Sequence, residues 1–332
     1  MMLRRSSLLL VAGVSVLAAP ALLHAQGARR PLRIVVPFPP GGGVDSLGRV
    51  LADRLPAVLD QQVVVDNRSG AGGLIGADAV AKGPPDGSII GIIGAATICA
   101  APFLQASMPF DPVRDLRPVT QITDASVLLV VNAQRATERG WTDLRTTLAW
   151  ARANPGALRL AHSGVATVSH LTLAALEAAS GVGFTQVPYR GGAQATTDTV
   201  SGVLDGSADL PTALIPHVEA GRLRALGVSS RRRFGLLPDV PSFAEYADLG
   251  LGDIDIRSWN AMMVPAGTPD AEVQRLFAAI RQVAVQPAFR EALRPLGYDA
   301  APSESPAAMA AMIASETPRW RRLVEVSGAR VD

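Results

Sequence analysis

Two stretches of this chain hold residues arranged to capture an anion. One is Pro39-Pro40-Gly41-Gly42-Gly43-Val44-Asp45; the other is His162-Ser163-Gly164-Val165-Ala166-Thr167. Each follows a short apolar run, Ile34 to Val36 or Leu158 to Ala161, and precedes a segment of helical spacing. A strand, a glycine turn and a helix N-terminus leave free N–H groups and the positive end of the helix dipole facing the turn. The glycines Gly41 to Gly43 allow angles and a close approach that a Cβ forbids. A phosphate loop needs a Lys-Ser/Thr pair after its glycines, and Val44-Asp45 stands there instead. The G-x-G-x-x-G spacing of a dinucleotide site is missing too. A carboxylate is the favoured anion. A plain tight turn, with Asp45 serving the helix dipole, explains the same spacing.

Covalent chemistry finds less support. Past residue 25 the histidines are His162, His170 and His217. Ser163 lies in Ala-His-Ser-Gly-Val, not in the G-x-S-x-G elbow, and a neighbour in sequence is not thereby its base. Capping of the next helix by Ser169 and packing of His170 are expected instead. Asp45, Asp198 and Asp209 have no spacing that pairs two of them. With no Cys/His cluster and no H-E-x-x-H, no metal, cofactor or catalytic residue is expected. A secreted serine hydrolase built on Ser163 is the enzyme alternative.

The elements that carry these loops alternate. Val44, Leu47, Leu51, Leu55 and Val58 form an apolar helical stripe, which Pro56 should end or kink near Leu55. Val63 to Val65, Ile89 to Ile93 and Val127 to Val131 read as strands, with Ser69 to Gly73 a turn, Leu74 to Lys82 a helix and Asp111 to Pro118 a linker. Thr142, Ser169 and Thr268 are the expected N-caps of later helices. Phe184 to Val187, Leu223 to Val228 and Trp259 to Val264 complete the strands. Alternation of this kind implies a mostly parallel sheet in each half. Ligands of open α/β sheets bind beyond the strands' carboxyl ends. The Pro39–Asp45 loop, Thr97, the Ser163–Thr167 loop, Tyr189-Arg190 and Asp209 all lie at such ends. Arg190 competes with the loops as a bidentate carboxylate partner.

The chain opens Met-Met-Leu-Arg-Arg, runs apolar from Leu8 to Leu23 and reaches a small-residue site at Ala25. That is the pattern of an export signal, by the general or the twin-arginine route. The whole chain has 31 basic and 29 acidic residues, and residues 1–25 hold two arginines and no acid. The remainder is therefore balanced at 29 against 29 (31 − 2 and 29 − 0), so nucleic acid is not an expected partner. Cys99 stands alone and reads as a buried filler. Two α/β lobes suit the length. The lobes are expected to be discontinuous: 26–124 with 258–332, and 125–257.

Several segments also share one order and spacing with a known family: PFPPGGGVDSLGRVLADRL, VVVDNRSGAGGLIGADAVAKGPPDG, SGVATVSHL, VPYRGGAQATTDTVSGVLDG, LPDVPSFAEY and VPAGTP. They resemble the substrate-binding receptors of tripartite tricarboxylate transporters, the Bug receptors. The likeness spans the chain after the signal. It implies a two-lobed periplasmic protein that closes on a small carboxylate and delivers it to membrane transporter subunits, as a monomer and without catalysis. A receptor that presents its ligand to a sensor is the alternative delivery. By the same likeness, Phe38, Gly41, Gly42, Gly43 and Asp45 form one wall of the site. Ser163, Gly164 and Thr167 form the second lobe's anion loop, with Tyr189 beside it. Ser69, Ser88 and Ala166 depart from the residues common in that family. Export has a direct readout: N-terminal sequencing of periplasmic protein should begin close to Gln26, and a full-length cytoplasmic product would refute it.

Overall fold

The computed structural model describes residues 30–189 and 191–328. The expected export signal, residues 1–25, and Arg190 lie outside the described residues. The strands are β1 (Leu32–Val36), β2 (Val63–Asn67), β3 (Ile89–Gly94), β4 (Leu116–Asp124), β5 (Leu128–Asn132), β6 (Arg159–His162), β7 (Thr185–Pro188), β8 (Gly206–Asp209), β9 (Leu223–Val228), β10 (Asn260–Pro265) and β11 (Asp299–Ala300). They form a six-stranded sheet in the order β11-β4-β10-β3-β1-β2 and a five-stranded sheet in the order β7-β6-β8-β5-β9. The α/β architecture on two sheets is as expected.

The pairing is mixed rather than mostly parallel. β1 runs parallel to β2 and β3, and β6 parallel to β7 and β8. β10 is antiparallel to β3 and β4, β11 to β4, and β5 to β8 and β9. The cause is the path between sheets. The chain leaves the first sheet through β4 into β5 and returns through β9 towards β10, so the two crossings lie side by side in opposite directions. Ala125 and Ser258 exchange both backbone hydrogen bonds at 2.9 and 2.8 Å, and Ser126 bridges Arg257. Arg257 Nη1 donates to Asp124 Oδ2 at 2.6 Å across the same crossings.

Sequence and packing agree best around β1. Leu32, Ile34 and Val36 share a fully buried cluster with Leu47, Leu51 and Leu55, while Val35 joins a second cluster on the other face. Both faces are covered, which is why the run is apolar throughout. The helix Gly43–Arg54 stops before Pro56, which opens the short helix Pro56–Leu59. The C-terminal helix Pro306–Ser327 packs on β4 and on the helix Val168–Ser180, and so ties the two sheets together.

Other local expectations are corrected. The linker expected through Pro118 is already strand from Leu116. Pro118 is tolerated there because the β4–β10 register slips between Met262 and Met263, the partner of Pro118. Asp143, not Thr142, caps the helix Leu144–Ala153, because its carboxylate accepts from Thr146 N–H while the Thr146 hydroxyl accepts from Asp143 N–H. Thr167, not Ser169, caps Val168–Ser180, and Pro269, not Thr268, occupies the cap position of Asp270–Ala284. Thr97 lies in a π-helical turn, Ala96–Ala100, rather than directly at a strand end.

Gly48 permits the close approach of the first helix to its sheet. A Cβ there would lie 2.8 Å from Val36 Cγ2 and 3.5 Å from Ile92 Cδ1. Gly48→Val should lower stability by about 1–3 kcal/mol through overpacking. A urea unfolding midpoint equal to wild type would show that the contact relaxes freely.

Candidate functional site

In the first lobe the glycine turn is held by its own acid. Asp45, 2% exposed, folds back on the turn. Its Oδ2 accepts from Gly41 N–H and Arg49 Nε, both at 2.9 Å, and its Oδ1 accepts from Asn67 Nδ2 at 2.8 Å. Asn67 Nδ2 also donates to Phe38 O at 3.1 Å. Burial alone would raise the Asp45 carboxyl, but the Arg49, Gly41 and Asn67 donors outweigh it and hold it below its ordinary range. Gly41 takes φ +88°, a left-handed value that suits glycine. Gly42 is the cap residue of Gly43–Arg54, and no side chain caps that helix. The N–H groups of Gly43, Val44 and Asp45 therefore have no intrahelical acceptor.

A second loop lies alongside. Gly70, Ala71, Gly72 and Gly73 have φ of +135°, +48°, +64° and +99°, and lead into the helix Leu74–Ala81, which also has no side-chain cap. A Cβ on Gly73 would meet Thr97 Oγ1 at 3.2 Å and the Phe38 ring at 3.6 Å. Phe38, Thr97 and this loop thus converge. In sequence these glycines read only as a turn, yet they repeat the strand–glycine–helix pattern of the first loop.

In the second lobe β6 ends at His162, and Gly164 follows at φ +139°. Ala166 takes φ +66°, so the departure from glycine keeps the left-handed geometry with a Cβ in place, a strain of about 1 kcal/mol. The hydroxyls point inward. Thr167 Oγ1 donates to Gly164 O at 2.7 Å and lies 2.9 Å from Ser169 Oγ, which is 2.7 Å from Ser163 Oγ. Ser163 in turn meets the Asp209 carboxylate. His162 Nδ1 donates to Gly164 O at 2.9 Å, and His170 Nδ1 accepts from Ala166 N–H at 3.2 Å. The two rings stack at 4.7 Å. Burial, then the neighbouring imidazole, pushes His162 down to about 4, and burial also lowers His170. The ring nitrogens that make these bonds are spent on the loop backbone rather than on Ser163.

Tyr189 is placed by its backbone, whose N–H donates to His162 O at 3.0 Å. Its hydroxyl turns away to Asp198 Oδ2 at 2.6 Å. Asp209, 8% exposed, accepts from Leu210 N–H at 2.8 Å. Its Oδ2 fills the space a Cβ on Gly192 would occupy, at the start of the helix Gly192–Val200. Only glycine fits there. Segments 37–45, 69–73 and 162–169 contain no lysine or arginine. A hollow of about 330 Å³ lies elsewhere, beside the crossings, lined by Asp124, Ser126, Arg232, Phe234, Arg257 and Asp299. Its charges are partly paired internally, through Arg257 and Asp124.

Helix N-termini opening from glycine loops on two joined sheets define a two-lobed solute-binding protein. The chain belongs to the tripartite tricarboxylate transporter receptor family, whose profile matches residues 47–329. A protein encoded in the tcbD–tcbE intergenic region of Pseudomonas sp. (strain P51) is 40% identical over 295 residues, 89% of this chain and 85% of that protein. Among solved structures, the periplasmic binding protein BugD superposes with a TM-score of 0.78 at 28% identity, covering 91% of this chain and 99% of that one. The R. palustris protein Rpa4515, solved with adipate, superposes with a TM-score of 0.81 at 31% identity over 91% of this chain and 99% of that one.

Asp209 is a stability probe within the site. Burial pushes its carboxyl up to about 6, against the Leu210 N–H and Ser163 donors. A folded pKa above the unfolded one favours folding in acid, and that contribution is lost as pH rises through about 6. Asp209→Asn, never charged, should match wild type near pH 4 and exceed it by on the order of 2–3 kcal/mol at pH 8. Urea unfolding at both pH values reads the difference, and equal gaps at the two would refute it.

Proposed function

We propose that this protein is a periplasmic receptor that closes its two lobes on the carboxylate of a small organic acid and hands it to the membrane subunits of a tripartite transporter. The observation that carries the reading is the uncapped start of the helix Gly43–Arg54. Its amides stand open in a segment without cations, and the one acid nearby, Asp45, is turned inward onto Gly41, Asn67 and Arg49. Such a site suits a carboxylate held by neutral donors. Family membership and the adipate-bound structural relative support the same class of ligand. Residues 26–124 with 258–332 would form one lobe and 125–257 the other, turning about the crossings at Asp124–Val127 and Ile256–Trp259. Phe38, Gly41, Gly42, Gly43, Thr97 and Gly164 would line the cleft. Asp45, Ser163, Thr167, Tyr189 and Asp209 would shape it from behind. The receptor would act as a monomer without catalysis, after export. No helix among the described residues is long and apolar enough to cross a membrane.

A thermal-shift screen over adipate, other mono-, di- and tricarboxylates, aromatic acids and their amides would test this. A true ligand at one hundred times its Kd should stabilise by about 2.7 kcal/mol, and its amide should not. Gly42→Val is the sharpest variant, because Gly42 has φ −81° and a Cβ there meets only Pro39 O, at 3.8 Å. The fold should survive while affinity falls about 100-fold, on the order of 3 kcal/mol. Ser163→Ala should weaken binding only several-fold, about 1 kcal/mol. Normal binding by Gly42→Val in calorimetry would overturn the reading.

A further inference from the structure

We propose that the ligand's body is hydrocarbon, an alkyl or cyclic acid rather than a hydroxy or amino acid, which rests on the carboxylate reading and narrows it. Segments 37–45, 69–73 and 162–169 carry six polar side chains: Asp45, Ser69, His162, Ser163, Thr167 and Ser169. The fold spends all but Ser69 on itself. Asp45 accepts from Gly41 N–H, Arg49 and Asn67. His162 Nδ1 and Thr167 Oγ1 both donate to Gly164 O, at 2.9 and 2.7 Å. The Ser163 and Ser169 hydroxyls lie 2.7 Å apart. Beside them the Tyr189 hydroxyl is turned to Asp198 at 2.6 Å, and Arg68 Nε to Asp66 Oδ2 at 3.0 Å. Ser69 is the exception, an exposed hydroxyl. A ligand hydroxyl that leaves water here finds the other side-chain partners engaged. An ammonium group finds no acid in these segments but Asp45, which is 2% exposed and paired with Arg49.

What the same loops leave uncovered is apolar. The Phe38 ring lies against the second glycine loop, since a Cβ on Gly73 would meet Phe38 Cζ and Pro37 Cβ, both at 3.6 Å. Ile75 lies across that loop, because a Cβ on Gly70 would come 2.5 Å from Ile75 Cδ1. Ile75 and, on the other lobe's loop, Val165 are each 52% exposed. Apolar surface of this kind costs free energy in water until another apolar group covers it. The same character continues between the sheets. Phe38 and Val44 pack against one buried cluster together with Leu210, which follows β8. Ala96 and Ala166 pack against the other cluster, which holds both Ile98 and Leu171. The ligand's polar contacts are thus confined to its carboxylate, and Ile75 and Val165 select its body. Each methylene that covers this wall should raise affinity about fourfold. Each hydroxyl in its place should lower affinity about tenfold.

Titration calorimetry on the processed protein tests this with size-matched pairs: hexanoate against gluconate, adipate against galactarate, and cyclohexanecarboxylate against quinate. The hydrocarbon member should bind at least about tenfold tighter than its polar partner. From butanoate to hexanoate, affinity should rise about fourfold per methylene. Val165→Asn and Ile75→Asn change exposed side chains, so the fold should hold while each flattens that rise to about twofold. A merely structural effect would instead weaken butanoate and hexanoate alike. Tighter binding of gluconate, galactarate or quinate, a chain-length series without slope, or an unchanged slope in both variants would each overturn the hydrocarbon body and leave the carboxylate reading in place. Hexanamide binding as tightly as hexanoate would do the reverse. A protein that binds none of these compounds would overturn both.

Discussion

The inward-facing carboxylate of Asp45 is the interaction on which the site depends. A helix N-terminus attracts any anion in reach, and the nearest is the protein's own acid two residues into that helix. By binding Gly41 N–H, Arg49 and Asn67, the Asp45 side chain satisfies its charge within the turn and does not cap the first amides of its own helix. Asn67 adds the second restraint, holding Asp45 and the Phe38 carbonyl together. It sits at the end of β2, hydrogen-bonded beside β1, so the neighbouring strand sets the shape of the loop. The charge that could compete with an incoming anion becomes part of the scaffold of the turn itself.

The second lobe solves the same problem with different chemistry. Its helix start is capped by Thr167, and its hydroxyls form a chain from Thr167 through Ser169 to Ser163. Two neutral histidines brace the loop carbonyl of Gly164 and the amide of Ala166. The internal acid here is Asp209, which closes off the start of the helix Gly192–Val200. It has no arginine pinned to it among the described residues and stays raised by burial. One lobe thus carries a firmly ionised acid and the other an acid whose charge the fold resists.

Motion, if the lobes are to shut, has to pass through the paired crossings. These are strapped by the Ala125–Ser258 exchange, by Arg257 on Asp124, and by the buried Ser126–Ser229–Ser230 hydroxyl cluster. At the far side, the C-terminal helix bears on β4 and on the helix Val168–Ser180, with Arg319 Nη2 donating to Asp255 O at 2.7 Å. The seam at Thr212 and Leu296 is a third meeting place, and the least crowded with bonds. The cleft loops lie between these supports rather than on them.

Much of the first lobe was legible in the residues themselves. The leucine spacing after Gly43 is a local signal, and the helix it predicts is there with the boundary that Pro56 imposes. The glycine turns and the two strand–loop–helix junctions are equally local, because φ and capping are decided within a few residues. Segment order and spacing carried the family. What no local pattern could hold was decided by strands lying side by side. The antiparallel pairs β4–β10 and β5–β9 follow from a chain that crosses between sheets and comes back. The strand at Leu116–Asp124 exists because a register slip makes room for Pro118. Asn67 behind Asp45, Gly192 beneath Asp209, and Tyr298 beneath Gly43 join residues 22, 17 and 255 positions apart (67 − 45, 209 − 192 and 298 − 43). Hydrogen bonds and close contacts of that range have no periodicity to announce them; they exist only once the sheets have assembled.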